Sequence, residues 1–304
     1  MEMDKRQKKD LERLSGGRID FDCPMAQYTT LRVGGKGEAL YKADDDELQR
    51  VIAYLNKEGI PYFPLGRGSN LLIKDKGIRG LLILLTGSLA AIEQERRNDF
   101  TILAGAGLPL VDLMNHCRAS GLGGLECYAG IPGTVGGAIA MNAGAFGKEF
   151  GSSVLEVHII TPEGTLEVRD RTQLRFTYRH FEMEKGAVII RARLKLDKES
   201  KEIVAKRIAD YLKRRKQSQP LEYPSAGSVF KNPPDEYAGR LIENAGLKGK
   251  RIGGAMISDK HGNFIVNTGG AKAKDILDLL YLAQAEVKKG TGIELEPEIK
   301  IIGD

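Results

Sequence analysis

The stretch Gly130-Ile131-Pro132-Gly133-Thr134-Val135-Gly136-Gly137 carries glycine at four of its eight positions. It lies in a longer segment, residues 121–151, in which ten of 31 residues are glycine. This density is too high for the interior of helices or strands, because glycine loses more conformational freedom on folding than any other residue. Glycine also lets the backbone approach a ligand closely, so that successive N–H groups can form a concave anion site. The stretch therefore predicts a loop that holds an anionic group.

A second glycine-rich loop, Leu65-Gly66-Arg67-Gly68-Ser69-Asn70-Leu71, follows a predicted strand over residues 61–65. Neither loop is a P-loop, since no Gly-Lys-Ser/Thr follows the glycines. The Rossmann fingerprint is also missing, because Gly105-Ala106-Gly107 lacks its third glycine. One such loop would be explained by tight turns alone. Two of them favour a dinucleotide-type ligand, with its pyrophosphate held by some other fold.

The charge balance excludes few partners. The 46 basic and 41 acidic residues of this 304-residue chain give a net charge of +5 and are interspersed. A mild basic excess of this kind fits an anionic small ligand as readily as nucleic acid. No nucleic-acid-binding motif accompanies it, so we expect no nucleic acid partner.

The cysteines exclude two kinds of site. Cys23, Cys117 and Cys127 are odd in number and none forms a CxxC pair, which argues against a disulfide framework and a zinc site. We therefore expect no metal, and Cys117 is interpreted as a buried, inert thiol. The first residues, MEMDKRQKKDLERL, are charged where a signal peptide would be apolar, and no run is long enough to span a membrane. The sequence thus predicts a cytoplasmic protein that does not bind a membrane.

Short strands and helices alternate from Tyr28 onward, which is typical of the α+β class. Residues 1–21 precede this pattern as a polar, partly helical leader with little to bury. A boundary near residue 200 is predicted to separate the first lobes from a third one. The predicted strands span residues 61–65, 81–85, 154–160, 188–196 and 263–267. The predicted helices span residues 44–58, 109–121, 202–215, 237–244 and 274–288.

Helical periodicity predicts which side chains these helices bury. The helix at residues 44–58 would bury Leu48, Val51, Ile52 and Leu55. The helix at residues 202–215 would bury Ile203, Ile208 and Leu212. The helix at residues 274–288 would bury Ile276, Leu280, Ala283 and Val287. Pro109 is predicted at position N1 of its helix, which Gly121 would end. Gly290 is predicted to end the last helix. The run Lys213-Arg214-Arg215-Lys216 is interpreted as a solvated helix face.

Further motifs follow one another along the chain. They are Tyr28-Thr29-Thr30-Leu31-Arg32-Val33-Gly34-Gly35, Asn142-Ala143-Gly144, Tyr178-Arg179, Pro224-Ser225-Ala226-Gly227-Ser228-Val229-Phe230-Lys231-Asn232-Pro233 and Leu295-Glu296-Pro297-Glu298. With the two glycine loops, they resemble the MurB family of UDP-N-acetylenolpyruvoylglucosamine reductases, from about residue 22 to 303. The glycine loops alone would indicate only the wider flavin-binding superfamily. The block that contains Ser228 and the terminal Leu-Glu-Pro-Glu are far more specific.

The resemblance implies an α+β fold with a two-lobed FAD-binding domain of the PCMH (vanillyl-alcohol-oxidase-like) type. This domain would span residues 22–200, with lobes at about 22–80 and 81–200. A smaller α+β substrate-binding domain would follow at residues 201–304. The short stretch after Arg179 resembles the compact type of the family, which lacks a tyrosine-bearing loop.

The resemblance also implies non-covalent FAD, NADPH as hydride donor and a UDP-sugar substrate of peptidoglycan synthesis. We expect a monomer, although the sequence does not determine the oligomeric state. The implied FAD contacts are Leu65, Gly66, Arg67, Gly68, Ser69, Asn70, Leu71, Gly130, Ile131, Pro132, Gly133, Thr134, Gly136, Gly137, Asn142, Gly144 and Ala145. Two positions depart from the family pattern. Tyr28 replaces the usual histidine, and Arg67 stands inside the phosphate loop, where it would either add charge to the pyrophosphate or point to solvent.

The family reaction transfers hydride to the terminal carbon of an enol ether that is conjugated to a carboxylate. Negative charge then develops on the adjacent carbon and the carboxylate, so the site needs preorganised donors and a proton. By the motif match, Ser228 would donate the proton, while Arg179 and Glu298 would bracket the carboxylate. Glu298 would help only if it were protonated or shielded by a cation. Lys231 and Asn232 would contact the diphosphate, and Arg251 and His261 are further substrate candidates.

Each of these residues also has an ordinary structural interpretation. Ser228 would be a turn residue, Arg179 a surface ion pair and His261 a solvated loop residue. Glu296 and Glu298 alternate in a predicted strand, which would leave one of them merely exposed. Only their joint occurrence in family order favours the catalytic interpretation.

Two other functions remain open. One is a different FAD-dependent oxidoreductase of the same fold, such as an oxidase of small alcohols, and the other is a non-catalytic nucleotide-binding module. Oxidases of this kind commonly attach FAD through a histidine. His116 and His158 are the only histidines between residues 22 and 170, and neither lies in a glycine loop, which disfavours covalent flavin.

Overall fold

The computed structural model describes residues 2–93 and 100–304, with the side chains of Asp45 and Asp46 left aside. The chain divides into two compact units, each assembled from separate segments. Unit 1 comprises Met1–Phe21, Glu38–Gly66 and Arg79–Lys213, and unit 2 comprises Asp22–Gly37, Arg67–Ile78 and Arg214–Asp304. The predicted division into a leader, a FAD-binding domain and a substrate domain concerns sequence domains, and it stays a prediction.

Helices and strands alternate along the chain. The helices are α1 (Lys5–Leu14), α2 (Asp45–Lys57), α3 (Leu110–Ser120), α4 (Val135–Ala140), α5 (Lys201–Ser218), α6 (Ala238–Asn244) and α7 (Ala273–Thr291). The strands are β1 (Ile19–Pro24), β2 (Lys36–Ala43), β3 (Tyr62–Leu65), β4 (Leu71–Ile73), β5 (Ile78–Leu85), β6 (Ile92–Glu93), β7 (Thr101–Gly105), β8 (Leu122–Gly123), β9 (Gly144–Ala145), β10 (Lys148–Glu149), β11 (Val154–Ile160), β12 (Leu166–Asp170), β13 (Phe176–Thr177), β14 (His180–Phe181), β15 (Val188–Lys195), β16 (Asp197–Lys198), β17 (Ser225–Ser228), β18 (Arg251–Ile252), β19 (Ala255–Ile257), β20 (Phe264–Asn267) and β21 (Lys300–Ile302).

Unit 1 is built on two sheets. A five-stranded sheet has the order β12-β11-β15-β7-β6, and its neighbours pair antiparallel. A four-stranded sheet has the order β1-β2-β5-β3, in which β3 and β5 run parallel. Helix α2 covers part of the core with Leu48, Val51, Ile52 and Leu55, all fully buried as predicted. It ends where predicted, because Gly59 adopts φ +64.

The N-terminal segment buries more than its sequence suggests. Leu11 is fully buried and Met3 is 6% exposed, so the expectation of a leader with little to bury is wrong. The Met3 N–H also donates to Glu38 Oε1 at 2.6 Å, inside the same unit. A few apolar residues on one side of α1 are enough to dock it, and the surrounding lysines and arginines conceal this in the composition.

Helix α5 presents a different face from the predicted one. Ile203 and Leu212 are 42% and 43% exposed, whereas Val204 is fully buried and Ile208 is 9% exposed. Val204 and Ile208 are four residues apart and share a face, which Ile203 and Leu212 do not. Arg215 is buried as well, so the basic run at the end of α5 is not wholly a solvated face.

Two predicted helix boundaries move slightly. Pro109 is the N-cap of α3 and not its first helical residue, while Gly121 ends that helix at φ 67 as predicted. Helix α7 continues through Gly290 and ends at Gly292, which adopts φ 76. Glycine is favoured at a helix C-cap because the backbone there is left-handed. Of Gly290 and Gly292, only Gly292 has a left-handed backbone.

Unit 2 contains an antiparallel sheet in the order β17-β20-β19-β18 and a second core. Helix α7 packs its Ile276, Leu280, Ala283 and Val287 into this core, as predicted. Its first turn is capped by a distant carboxylate, since Asp75 accepts hydrogen bonds from the N–H groups of Ala273 and Lys274 at 2.8 and 2.9 Å. Strand β21 pairs parallel with β4, which ties the C-terminus to the segment that follows the loop at residues 65–71.

The three cysteines are buried. Burial raises the pKa of the Cys117 thiol to about 12, so this thiol is inert at neutral pH, as predicted. Within residues 2–93 and 100–304, no group of three or more His, Cys, Asp or Glu side chains could hold a metal ion. Among the helices that the structure describes, none is long and apolar enough to cross a membrane.

Candidate active site

The loop at residues 130–137 uses most of its N–H groups inside unit 1. The N–H groups of Val135 and Gly136 donate to the carbonyls of Leu108 and Ala106 at 2.9 and 2.8 Å. Those of Ile131, Gly133 and Gly137 also have acceptors in the unit, namely Tyr128 O, Ile131 O and Thr134 Oγ1. In the described part of the chain, only the N–H groups of Gly130 and Thr134 in this loop lack an acceptor. The loop is therefore largely braced by the protein itself, with few amides left for a ligand.

Packing explains two of the glycines. A Cβ on Gly136 would lie 2.8 Å from Ala106 Cβ, and one on Gly66 would lie 2.8 Å from Thr134 Oγ1. Both distances are shorter than real carbon contacts allow. Gly66 thus lets the loop at residues 65–71 pack against Thr134 of the loop at residues 130–137, and Gly136 lets the latter loop pack against Ala106.

The other glycine loop offers more free amides. The successive N–H groups of Arg67, Gly68, Ser69 and Asn70 have no acceptor among the described residues. Gly68 is buried and adopts φ +60, and a Cβ there would overlap Tyr28 O. Successive unpaired N–H groups around a left-handed residue form an anion-binding nest, so these residues fit a pyrophosphate group. The Arg67 side chain is exposed.

Arg179 lies in the two-residue turn of a hairpin in unit 1. Strands β13 and β14 pair across this turn, and Arg179 adopts φ 58. Its guanidinium is half-buried and lies 4.6 Å from the centroid of the Tyr178 ring. The cation–π contact and the short turn restrict where the guanidinium can point.

Asn142 is fully buried, and its side chain is bonded to protein groups. Nδ2 donates to Glu149 Oε2 and to the Thr177 carbonyl, both at 2.9 Å, while Oδ1 accepts from the Gly151 N–H at 3.0 Å. Asn142 thereby links the β9–β10 hairpin to the hairpin of Arg179. Its predicted contact with FAD stays a prediction.

Ser228 and Glu298 are brought together in unit 2. Ser228 ends β17, and the next carbonyl, that of Val229, accepts a hydrogen bond from the Glu298 N–H at 2.7 Å. A bridge between Phe230 and Pro297 continues this pairing. The predicted strand through Glu296 and Glu298 is wrong, because only Pro297 between them forms a bridge and β21 begins at Lys300. Glu296 is exposed and Glu298 is half-buried.

Two asparagines hold this arrangement, and sequence analysis missed the role of both. Asn263 is buried and bonds both backbone groups of Phe230, accepting from its N–H at 2.9 Å and donating to its carbonyl at 2.8 Å. Asn70 Nδ2 donates to the Glu298 carbonyl at 3.0 Å. Neither role leaves a local pattern, because each bond joins residues far apart in the sequence. The sequence signal for Asn263 is only a polar residue at the start of an apolar strand.

The four substrate candidates are placed differently. Lys231 Nζ pairs with Glu296 Oε1 at 2.6 Å, and Asn232 Oδ1 accepts from the Ala238 N–H at 3.1 Å, where α6 begins. Both lie a short distance after Ser228, beyond Val229 and Phe230. Arg251 is exposed on β18, at the opposite edge of the sheet from β17, so the structure does not bring it to Ser228.

His261 is half-buried rather than solvated. Burial lowers the pKa of its imidazole below the usual range, so the ring is neutral at pH 7. Its Nδ1 accepts from the Asn263 N–H at 3.2 Å, and the ring stacks edge-on against Phe264. The imidazole could therefore donate one hydrogen bond to a substrate but could not supply a positive charge.

Comparison with known proteins matches both ends of the chain. The family model described as UDP-N-acetylenolpyruvoylglucosamine reductase, C-terminal domain, matches residues 219–302, and the FAD binding domain model matches residues 39–169. The UDP-N-acetylenolpyruvoylglucosamine reductase of Caldanaerobacter subterraneus subsp. tengcongensis is 42% identical over 295 residues, which is 96% of each chain. That of Bacillus subtilis is 39% identical over 298 residues, which is 97% of each chain.

Solved structures agree with this match. The crystal structure of UDP-N-acetylenolpyruvylglucosamine reductase (MurB) from Thermus caldophilus superposes with a TM-score of 0.80 at 39% identity, covering 94% of this chain and 98% of that one. An alkyldihydroxyacetonephosphate synthase superposes over 65% of this chain and 42% of that one, with a TM-score of 0.51 at 16% identity, which shows a shared fold alone. The predicted fold, a FAD-binding domain of the PCMH type followed by a smaller α+β domain, is confirmed. Since relatives near 40% identity match almost its whole length, the chain belongs to the UDP-N-acetylenolpyruvoylglucosamine reductase family, MurB.

Proposed function

We propose that this protein uses NADPH and FAD to reduce the enolpyruvyl group of UDP-N-acetylglucosamine enolpyruvate to UDP-N-acetylmuramate in peptidoglycan synthesis. The observation that carries the proposal is the match over 96% of the chain to a relative named UDP-N-acetylenolpyruvoylglucosamine reductase. The pairing of the Ser228 segment with the Glu298 segment gives further support, because it gathers a hydroxyl and a carboxyl group in one unit.

The unpaired amides of residues 67–70 support non-covalent binding of FAD through its pyrophosphate. Leu65, Gly66 and Leu71 would complete that loop, and the predicted contacts at residues 130–134, Gly136, Gly137 and Ala145 would add to it. FAD bound there would supply the hydride transfer from NADPH to the enolpyruvyl carbon. The chain supplies the remaining functions, which are binding, charge stabilisation and proton delivery.

In this proposal Arg179 binds the substrate carboxylate. A guanidinium presents a planar fork that matches a carboxylate through two parallel hydrogen bonds, and it stays charged at any pH of interest. As negative charge moves toward the carboxylate in the transition state, that contact strengthens.

Ser228 is the proposed proton donor and Glu298 the second group at the carboxylate. A serine hydroxyl is a weak acid, so it can serve only a strongly basic carbon in a site from which water is excluded. Glu298 is half-buried and needs a proton or a neighbouring cation to avoid repelling the developing negative charge.

Substrate binding is proposed for Lys231 and Asn232, which lie in the same motif as Ser228. Glu296 would have to release Lys231 for its ammonium to reach a diphosphate, since the two are paired at 2.6 Å. His261 would act as a neutral donor. Arg251, at the far sheet edge from β17, is the weakest candidate.

We also propose a monomeric, cytoplasmic enzyme that binds neither nucleic acid nor membranes and contributes to cell-wall growth, cell shape and division. The absence of a nucleic-acid motif in the sequence supports the expectation that it binds no nucleic acid. The proposed domains are residues 22–200 for FAD and 201–304 for the substrate.

An anaerobic experiment separates this function from its two rivals. The purified protein should carry FAD that NADPH reduces and that the UDP-sugar then reoxidises without oxygen. Reoxidation by oxygen alone, with no response to the UDP-sugar, would favour an oxidase of the same fold. Protein that takes up no FAD, or whose FAD neither NADPH nor a small alcohol reduces, would favour a non-catalytic module.

Replacing Gly68 with alanine is expected to weaken FAD binding. The new Cβ would overlap Tyr28 O, so the loop must shift and its amides no longer converge. Loss of even one hydrogen bond to a charged group costs about 1.5–3 kcal/mol, which is roughly 10- to 100-fold in the dissociation constant of FAD.

The matched control is Gly59→Ala, measured in the same FAD titration. Gly59 has a similar φ of +64 but open space around it, so alanine there has the same backbone strain without the overlap. Wild-type FAD affinity in Gly68→Ala, or equal losses in both variants, would contradict the proposed role of the loop.

A further inference from the structure

The guanidinium of Arg179 fills the space beside Gly144. A Cβ on Gly144 would overlap Arg179 Nη1 and lie 2.8 Å from Cζ and 3.0 Å from Nη2. Gly144 has no positive φ, so its backbone conformation is open to any residue. The guanidinium, rather than the backbone, therefore accounts for the glycine at this position.

Asn142 fixes the same hairpin from the other side. Its Nδ2 binds the Thr177 carbonyl, two residues before Arg179, and also Glu149 Oε2 on β10. Its Oδ1 accepts from the Gly151 N–H, so the donors and the acceptor of this buried amide are all used within unit 1. Both N–H donors of Nδ2 are thus used, and without breaking a bond the side chain could offer a cofactor only the second lone pair of Oδ1.

Asn142 also adopts φ +40, a conformation that asparagine tolerates better than most residues. One local arrangement thus contains the left-handed Asn142, the space beside Gly144 and the left-handed Arg179. This arrangement joins the β9–β10 hairpin to the β13–β14 hairpin.

We propose that Gly144 and Asn142 are positioning residues for Arg179, the glycine by leaving the volume that the guanidinium occupies and the asparagine by anchoring its hairpin. The inference rests on the proposed function, in which Arg179 binds the substrate carboxylate. It assigns to Asn142 and Gly144 a role other than the FAD contact that sequence resemblance implies. Both residues act through Arg179 and touch neither substrate nor cofactor in this role.

Gly144→Ala is the sharpest test, because its only severe overlap is with the end of a flexible side chain. The guanidinium must move, and a misplacement of about 1 Å can cost roughly 100-fold in rate. We expect reoxidation of the pre-reduced holoenzyme by the UDP-sugar to slow by about 10- to 100-fold. The dissociation constant of FAD should stay within about twofold of the wild-type value, because Gly144 does not contact FAD in this role.

The matched control is Gly290→Ala on helix α7, where no atom lies within 4 Å of the added Cβ. It should retain wild-type reoxidation and FAD affinity. A crystal structure of Gly144→Ala gives a readout that does not depend on activity, since it should show the guanidinium displaced and the fold unchanged.

Combining Gly144→Ala with Arg179→Ala decides between the two roles. With no guanidinium to displace, the added methyl group should have no further effect, so the double variant should reoxidise within about twofold of Arg179→Ala alone. If the two losses multiply, or if FAD affinity falls with the reoxidation rate, Gly144 is a cofactor contact and the positioning role is wrong.

Asn142 is tested by Asn142→Gly, which keeps the left-handed backbone and removes the three side-chain bonds. It should slow reoxidation by roughly tenfold or more, and again only while Arg179 is present. Wild-type reoxidation in this variant would overturn the role of Asn142. Failure of the proposed function looks different, because wild-type enzyme would then not be reoxidised by the UDP-sugar at all.

Discussion

Ser228→Ala is expected to slow single-turnover oxidation of pre-reduced enzyme by the UDP-sugar by roughly 10²- to 10⁴-fold. The change removes the proton that must reach carbon after hydride arrives, and little else, since Ser228 ends a strand that Gly227 already bends at φ +74. Ser228→Cys should recover part of the rate, because a thiol is the stronger acid but is larger and differently placed.

Ser225→Ala is the matched control for this prediction, since Ser225 begins the same strand and is also half-buried. It should oxidise at the wild-type rate, and substrate affinity measured separately should be unchanged in both alanine variants. If Ser228→Ala weakened binding but kept oxidation within about threefold of wild type, Ser228 would be a binding residue and the proton would have another source.

Arg179→Ala is expected to separate the two half-reactions. Flavin reduction by NADPH needs no carboxylate contact and should be largely intact. Reoxidation by the UDP-sugar should fall by about 10²–10³-fold, the usual cost of removing one donor that stabilises developing negative charge. Stopped-flow absorbance of the flavin follows both steps in one sample.

Arg175→Ala controls for the loss of an arginine in the same segment, since the exposed Arg175 bonds only the nearby carbonyls of Thr172 and Leu174. Both half-reactions should be normal in that variant. Equal losses in both half-reactions of Arg179→Ala would instead make Arg179 a structural residue or a contact for the nicotinamide.

Local periodicity predicted the regular elements well. Helices α2 and α7 carry apolar residues at helical spacing and were predicted with their buried faces. Helix α5 was predicted in part, because Ile208 is buried as predicted but Ile203 and Leu212 are exposed. The buried Arg215 of this helix is a charged residue that periodicity assigns to solvent. The N-terminal helix failed for the converse reason, since one fully buried leucine stands among charged neighbours.

The site was predicted in part. Motif order identified Ser228, Arg179 and Glu298 as candidates, and the structure places the Ser228 and Glu298 segments side by side. Motif order could not reveal that Asn263 anchors Phe230 from 33 residues away or that Asn142 anchors Thr177 from 35 residues away. Such bonds depend on the tertiary fold, and a polar residue that makes them looks in sequence like any surface asparagine.

The glycine loops likewise differ in a way that depends on the tertiary fold, here in the hydrogen bonds of their backbone N–H groups. Glycine occupies two of residues 65–71 and four of residues 130–137. Yet the residues from Arg67 to Asn70 leave successive N–H groups unpaired among the described residues, while most amides of residues 130–137 are bonded within unit 1. Composition predicts that a backbone can approach a ligand closely. Which amides are free depends on the neighbouring strands that accept the others.

The central claim is that the chain reduces an enolpyruvyl UDP-sugar with NADPH. Its most direct test is anaerobic incubation of the FAD-loaded protein with both compounds, followed by mass spectrometry of the sugar nucleotide and absorbance of NADPH. We predict one product, heavier than the substrate by two hydrogen atoms, for each NADPH consumed. Consumption of NADPH without that product, or an unchanged sugar nucleotide beside a fully reduced flavin, would contradict the account.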